Sequence, residues 1–168
     1  MTASGFDLIV VGGGVFGLGT AVEAARRGRR TLVVDRRVVP NPIGASYGPS
    51  RKIRSTYLDP HYSRLAVEAM AEWRRIEAET GGRRLYVAVG NLNVSDGDSD
   101  EHLDTLEANA RRGGATVRWL EAADLRREFP QFRRGKRALL EVEAGFLRAT
   151  DCVAALRVLG ERHGVHLV

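Results

Sequence analysis

Apolar positions along the chain change their period several times, and each change marks an element. Leu8-Ile-Val-Val11 is an unbroken apolar run of strand length, the pattern of a parallel strand covered on both faces. From Leu18 the period becomes helical: Leu18, Ala21, Val22 and Ala25 fall at i, i+3, i+4 and i+7 on one stripe, and Gly28 ends it. Thr31-Leu-Val-Val-Asp35 then reads as a second buried strand closed by a carboxylate. Strand, helix and strand in that order form a βαβ unit, the building block of a doubly wound parallel sheet.

From Arg36 to Ser50 the period is lost. Three prolines and two glycines in fifteen residues mark a long ordered loop, a kind that often carries function. Asp59-Pro60 supplies an N-cap and a first-turn proline for a helix whose stripe is Leu65, Ala69, Trp73 and Ile76, ended by Gly81-Gly82. Leu85, Val87 and Val89 alternate, Gly90-Asn91 interrupts, and Leu92 and Val94 resume, which predicts a strand pair or a bent strand. Ser99 to Arg112 is a peripheral helix with Leu103, Leu106 and Ala110 inside, followed by a strand through Ala115, Val117 and Trp119. Glu121 to Glu128 forms a short helix closed by Phe129-Pro130, and Ala138–Glu143 with Gly145–Arg148 forms another strand pair. Thr150 or Asp151 caps a last helix with Val153, Leu156 and Leu159 inside; Gly164 stops it, and Val165 to Val168 begins one more strand.

The turn between the first strand and helix carries the candidate chemistry. In Gly12-x-Gly14-x-x-Gly17 the first glycine permits the tight turn, the second lets backbone approach a pyrophosphate, and the third lets helix and strand pack closely. The free amides and positive dipole of the helix start favour an anion. Asp35 follows Gly12 by 23 residues, where this fingerprint places an acceptor for ribose hydroxyls. Arg36 keeps a 2′-phosphorylated nicotinamide cofactor open as a minor option.

The expected fold is α/β: a Rossmann-like βαβ unit with inserted helices and β-hairpins. Residues 1–58 and 150–168 form the dinucleotide-binding core, and 59–149 an insertion that begins the substrate side. Only three strands of the parallel kind are present, at 7–11, 31–35 and 165–168, so the sheet is expected to be incomplete. A chain ending inside a strand is expected to be truncated.

Composition narrows the classes. The 168 residues, 43% hydrophobic and 28% charged, are those of a globular protein, and no apolar run approaches the roughly 20 residues of a membrane span. Asp7 precedes the first apolar run and no basic region comes before it, which argues against a secretory leader. One cysteine, Cys152, excludes an internal disulfide and suits a reducing, cytoplasmic compartment; a small residue there is read as packing. The net charge of +5 rests on 24 Arg and two Lys, but pairs such as Arg26-Arg27 and Arg111-Arg112 are scattered with no aromatic interleaving, so no nucleic-acid partner is expected. His61, His102, His163 and His166 show no metal-ligand spacing.

Several segments together resemble a known family. The glycine fingerprint with Val33-Val-Asp35-Arg36, the loop Gly44-Ala-Ser46, the segment Arg51-Lys-Ile-Arg54-Ser-Thr-Tyr57, Leu120 to Pro130, and Gly145-Phe-Leu with the helix at Asp151 are similar to the FAD-dependent amine oxidases. Monomeric sarcosine oxidase and N-methyltryptophan oxidase, of the D-amino acid oxidase superfamily, typify them. The resemblance runs along the whole chain and covers only the N-terminal portion of such enzymes.

It implies FAD as cofactor and a small amine or secondary amino acid as substrate. A hydride would leave the C–N bond to give an imine, with oxygen as the final oxidant. It further implies that Gly12, Gly14, Val15, Phe16 and Gly17 surround the FAD pyrophosphate, that Asp35 holds the ribose with Arg36 beside it, and that Ser46 lies on the loop near the flavin. Arg51 would sit by the flavin ring, where a cation stabilises negative charge, and Arg54 would bind the substrate carboxylate with its planar fork. Tyr47 stands where sarcosine oxidases usually carry a histidine, which leaves the amine itself open. The alternative is a truncated or split, non-catalytic dinucleotide-binding module that needs a complementary C-terminal half or partner chain and holds FAD poorly alone.

Overall fold

The computed structural model describes residues 5–95, 97, 100–132 and 134–168. In chain order the elements are β1 (Leu8–Val11), α1 (Val15–Arg26), β2 (Thr31–Val34), β3 (Arg51–Ile53), α2 (Pro60–Glu79), β4 (Tyr86–Ala88) and β5 (Asn91–Ser95). There follow α3 (Glu101–Arg112), β6 (Val117–Glu121), α4 (Ala122–Glu128), β7 (Arg137–Glu141), β8 (Gly145–Leu147), α5 (Ala149–Arg162) and β9 (His166–Leu167). They divide into two compact units: Met1–Arg51, Arg74–Leu85 and Leu147–Val168 form the first, and Lys52–Trp73 and Tyr86–Phe146 the second.

The first unit is built on a parallel sheet of order β1-β2-β9, in register Val10↔Val33 and Val33↔Leu167. Backbone bonds carry the ladder past β9, with Val168 N donating to Val33 O and Asp35 N to Val168 O. The stripe read from the sequence is the one α1 buries: Leu18, Ala21 and Val22 face inward, and on α5 so do Val153, Leu156 and Leu159. α1 and α5 pack against each other and against the sheet, so both cover the same face. The opposite face of β1 is therefore open. Ile9 is 58% and Val11 87% exposed, which corrects the expectation of a strand covered on both sides.

α5 also begins differently from its expected cap. Arg148 is the N-cap position, and Thr150 lies within the first turn. Its hydroxyl donates to Gly48 O at 2.9 Å and accepts from Gly48 N at 3.1 Å, while Asp151 pairs with Arg83 at 2.9 Å. The short side chains thus hold distant segments rather than their own helix.

The second unit contains an antiparallel sheet of order β5-β7-β6, with Asn93, Leu139 and Trp119 aligned in one row. On one face α3 packs Leu103, Leu106 and Ala110 against Val117 and Leu139; on the other, Leu125 of α4 packs against Leu120 and Ala138. α3 begins at Glu101, and Ser99, expected to start it, lies outside the described residues.

The two predicted strand pairs form as strands but pair elsewhere. β4 joins β8 in a sheet of order β3-β8-β4, whereas β5 and β7 pair with each other. A Cβ on Gly145 would lie 2.0 Å from Val87 O, so the missing side chain is what lets β8 close on β4. In α2 the buried positions are Ser63, Met70, Trp73 and Ile76, while Leu65 is 40% exposed. The Ser63 hydroxyl takes the inward place because it reaches the Tyr57 carbonyl.

Candidate functional site

The glycine turn of the first unit is held by the end of β2. Gly12, at φ +108°, donates its amide to Val34 O at 2.8 Å. The next amide, of Gly13, donates to Asp35 Oδ2 at 2.8 Å. Asp35 Oδ1 accepts from Arg37 N and from Asn41 Nδ2, each at 3.1 Å. The Gly13 amide above all, with help from Arg37, Asn41 and the Arg36 charge, holds the Asp35 carboxyl below its ordinary range. It is thus an ionised acceptor with lone pairs to spare at the carboxyl ends of the strands, the place where open α/β sheets bind ligands.

Gly17 serves close approach. A Cβ there would stand 1.9 Å from Gly12 O, so only glycine lets α1 begin directly behind the turn. α1 has no acidic residue in its first turn, and its N-cap is Gly14, which leaves the helix start receptive to an anion. Val15 N donates to Ser46 Oγ at 3.1 Å, so the loop lies against the helix start and the Ser46 hydroxyl hydrogen is free to reach a phosphate oxygen. Phe16 stands 89% exposed on the first turn, and Arg36 is exposed beside Asp35.

Arg51 closes this unit by holding the loop. Its guanidinium donates to Ala45 O at 2.6 Å, Tyr47 O at 2.8 Å and Ser50 O at 2.7 Å, around the residue that meets Val15. A cavity of about 240 Å³ opens beside Asp35, lined by Val33, Val39, Arg157, Leu167 and Val168. Arg157 Nη1 pairs with Glu161 at 3.0 Å, while its Nε is buried without a hydrogen-bond partner among the described residues. Gly13, Asn41, Thr150 and Arg157 were not legible as site residues; Gly13 alone carried a signal, as a variable position inside the fingerprint.

The second unit carries a separate cavity of about 520 Å³, lined by Lys52, Arg54, Thr56, Tyr57, Leu58, Asp59, Asn93, His102 and Leu106. Arg54 lies over the Tyr57 ring at 4.2 Å and donates to Thr56 O, which fixes the direction of its fork. Beneath it, Glu141 is fully buried and accepts from Ser55 N at 2.6 Å, Ser55 Oγ at 2.7 Å and Thr56 N at 3.1 Å. Thr56 Oγ1 accepts from Asn91 and Asn93, each at 3.2 Å, and Asn109 Nδ2 donates to Tyr57 O and Leu58 O. Glu141 and Asn109 were missed in the sequence, although Glu141 falls on the inward side of an alternating strand.

Cys152 is 2% exposed, and burial above all pushes its thiol up to about 12, so it packs as a neutral side chain. Among the described residues no helix is long and apolar enough to cross a membrane.

Residues 7–168 match the family model of the FAD dependent oxidoreductases, and the chain belongs to that family. It is 32% identical over 154 residues to the peroxisomal sarcosine oxidase of Homo sapiens, covering 90% of this chain and 39% of that protein. To the monomeric sarcosine oxidase of Bacillus sp. (strain B-0618) it is 30% identical over 167 residues, or 97% of this chain and 42% of that one. The solved structure of NikD, an unusual amino acid oxidase essential for nikkomycin biosynthesis, superposes with a TM-score of 0.73 at 29% identity and covers 97% of this chain and 42% of that chain. The chain therefore spans about two fifths of the length of these relatives. FAD is the cofactor of the family, and the glycine turn, with no room for a side chain at Gly17 and no acid at the helix start, fits a pyrophosphate.

Proposed function

We propose that this chain forms the FAD-binding portion of an oxidase acting on the C–N bond of a small secondary amino acid such as sarcosine. The observation that carries the reading is the ionised Asp35 carboxylate fixed against the glycine turn at Gly13. Gly12, Gly14, Val15, Phe16, Gly17 and Ser46 would surround the pyrophosphate, Asp35 with Arg36 beside it would take the ribose, and the cavity between Val39 and Val168 would take the adenine end. FAD bound there would supply the hydride acceptor. Arg51 would hold the loop and place a cation near the flavin ring, and Arg54 would take the substrate carboxylate through two parallel N–H donors.

In this account residues 1–58 and 150–168 are the cofactor core, whose segment from Lys52 to Leu58 reaches the substrate cavity, and 59–149 begins the substrate side. Adding sarcosine anaerobically to the FAD-loaded protein should bleach the flavin, and air should then give hydrogen peroxide. Bleaching by NADPH but by no amine would overturn the reading.

The exposure of Ile9, Val11 and Phe16, at 58%, 87% and 89%, favours a second reading. A module with such an open apolar face would need further polypeptide over β1 before it could oxidise a substrate. The chain alone should then give no peroxide, and a fragment matching the rest of a relative should restore it. Peroxide formation from sarcosine by the chain alone would exclude this second reading.

A further inference from the structure

The cavity of the second unit is larger and more cationic than a sarcosine-sized substrate requires. Its volume of about 520 Å³ falls in the range of roughly 300–1,000 Å³ that holds far larger ligands. Lys52 lies on β3 and Arg54 just beyond it, two residues on, so both side chains leave the same side of the extended chain, from Cα atoms about 7 Å apart, and both line the cavity. They occupy different states. Arg54 is oriented by Tyr57 and the Thr56 carbonyl, whereas the Lys52 ammonium has no ion pair or hydrogen bond among the described residues. The other titratable groups on the wall are Tyr57, the His102 imidazole and the Asp59 carboxylate, which accepts from His61 N at 2.8 Å. On the wall itself two basic side chains thus stand with one carboxyl group, and a single substrate carboxylate on Arg54 leaves Lys52 without a partner there.

We infer that this cavity takes a dicarboxylate, one carboxylate on Arg54 and a second on Lys52, so that within the small secondary amino acids the preferred substrate class is an N-alkylated acidic amino acid, with sarcosine the weaker substrate. The inference rests on the proposed carboxylate role of Arg54 and extends it. Leu58 and Leu106 would pack on the methylenes between the two carboxylates, and Asn93 and His102 line the same cavity as further polar groups. Inorganic phosphate has no methylenes for Leu58 and Leu106 to cover, so it should gain less than a dicarboxylate.

The test is a titration of the ¹⁵N-labelled chain with succinate, acetate and inorganic phosphate, read from the amide shifts of Lys52 to Tyr57. Succinate should bind at least tenfold more tightly than acetate, with phosphate near acetate. Lys52→Gln should bring succinate to within about twofold of acetate, and Arg54→Gln should weaken both at least tenfold. Succinate no tighter than acetate, or an advantage that survives Lys52→Gln, overturns the dicarboxylate inference while an Arg54-dependent acetate site leaves the underlying reading intact. Acetate binding indifferent to Arg54→Gln overturns the underlying reading, and the inference with it.

Discussion

Ser55 meets Glu141 across 86 residues of sequence: its amide and its hydroxyl both donate to Glu141 Oε1, at 2.6 and 2.7 Å. Polar oxygens in a fully buried place must be met by donors, and here Glu141 collects them from the segment that carries Arg54. Glu141→Ala would leave Ser55 N, Ser55 Oγ and Thr56 N unpaired in the interior. At about 1–3 kcal/mol for each orphaned group, a loss of roughly 3 kcal/mol or more is expected in urea denaturation. Glu141→Gln keeps one acceptor oxygen and should lose less. A Glu141→Ala protein as stable as wild type would show that these bonds do not organise the segment.

Gly17→Ala is expected to damage the glycine turn through backbone contact. The new methyl would stand 1.9 Å from Gly12 O, which no side-chain rotation relieves. Overpacking of this kind costs about 1–3 kcal/mol, and the turn should lose its anion site as it shifts. Thermal denaturation and ADP binding measured together would show both losses. Undiminished ADP binding would mean that the turn is not where the phosphates sit.

Much of the first unit was legible because its signals are local. The run Leu8–Val11, the stripe Leu18, Ala21 and Val22, and the carboxylate after the second strand needed no knowledge of distant chain. What the sequence did not disclose depends on partners far away. Ile9 and Val11 have the apolar character of covered residues, yet whether a layer lies over them is decided by where α5 packs. Thr150 looked like a cap because small hydroxyl residues cap helices, but Gly48 competes for the same hydroxyl. The alternation at β4 and β5 told strand from helix and could not tell which strands pair. Of the site residues, Asp35 was found by its spacing from Gly12, whereas Glu141 shows its role only once Ser55 and Thr56 are beside it.

Acid should weaken the second unit in part through Glu107. Its Oε2 accepts from the Trp119 indole at 2.9 Å and its Oε1 from Arg111 at 2.9 Å. The Trp119 bond first, and Arg111 after it, hold its pKa below the ordinary value. A lowered folded-state pKa stabilises above the unfolded value, about 4.3 for Glu, and that contribution disappears as pH falls through the folded value. Urea denaturation from pH 6 to pH 3, followed by tryptophan fluorescence, should show a decline that Glu107→Gln makes shallower. An identical decline in the variant would remove Glu107 from the account.

The central claim is that the Gly12–Gly17 turn and Asp35 form the site for FAD, and titration of the ¹⁵N-labelled chain with FAD and with NADPH addresses it most directly. FAD should shift the amides of Gly13, Gly14, Val15 and Asp35. Asp35→Ala, which removes hydrogen bonds to a charged acceptor worth about 1.5–3 kcal/mol, should weaken FAD binding by roughly 10- to 150-fold without unfolding the chain. NADPH moving those amides while FAD leaves them in place, or Asp35→Ala binding FAD as tightly as wild type, would contradict the account.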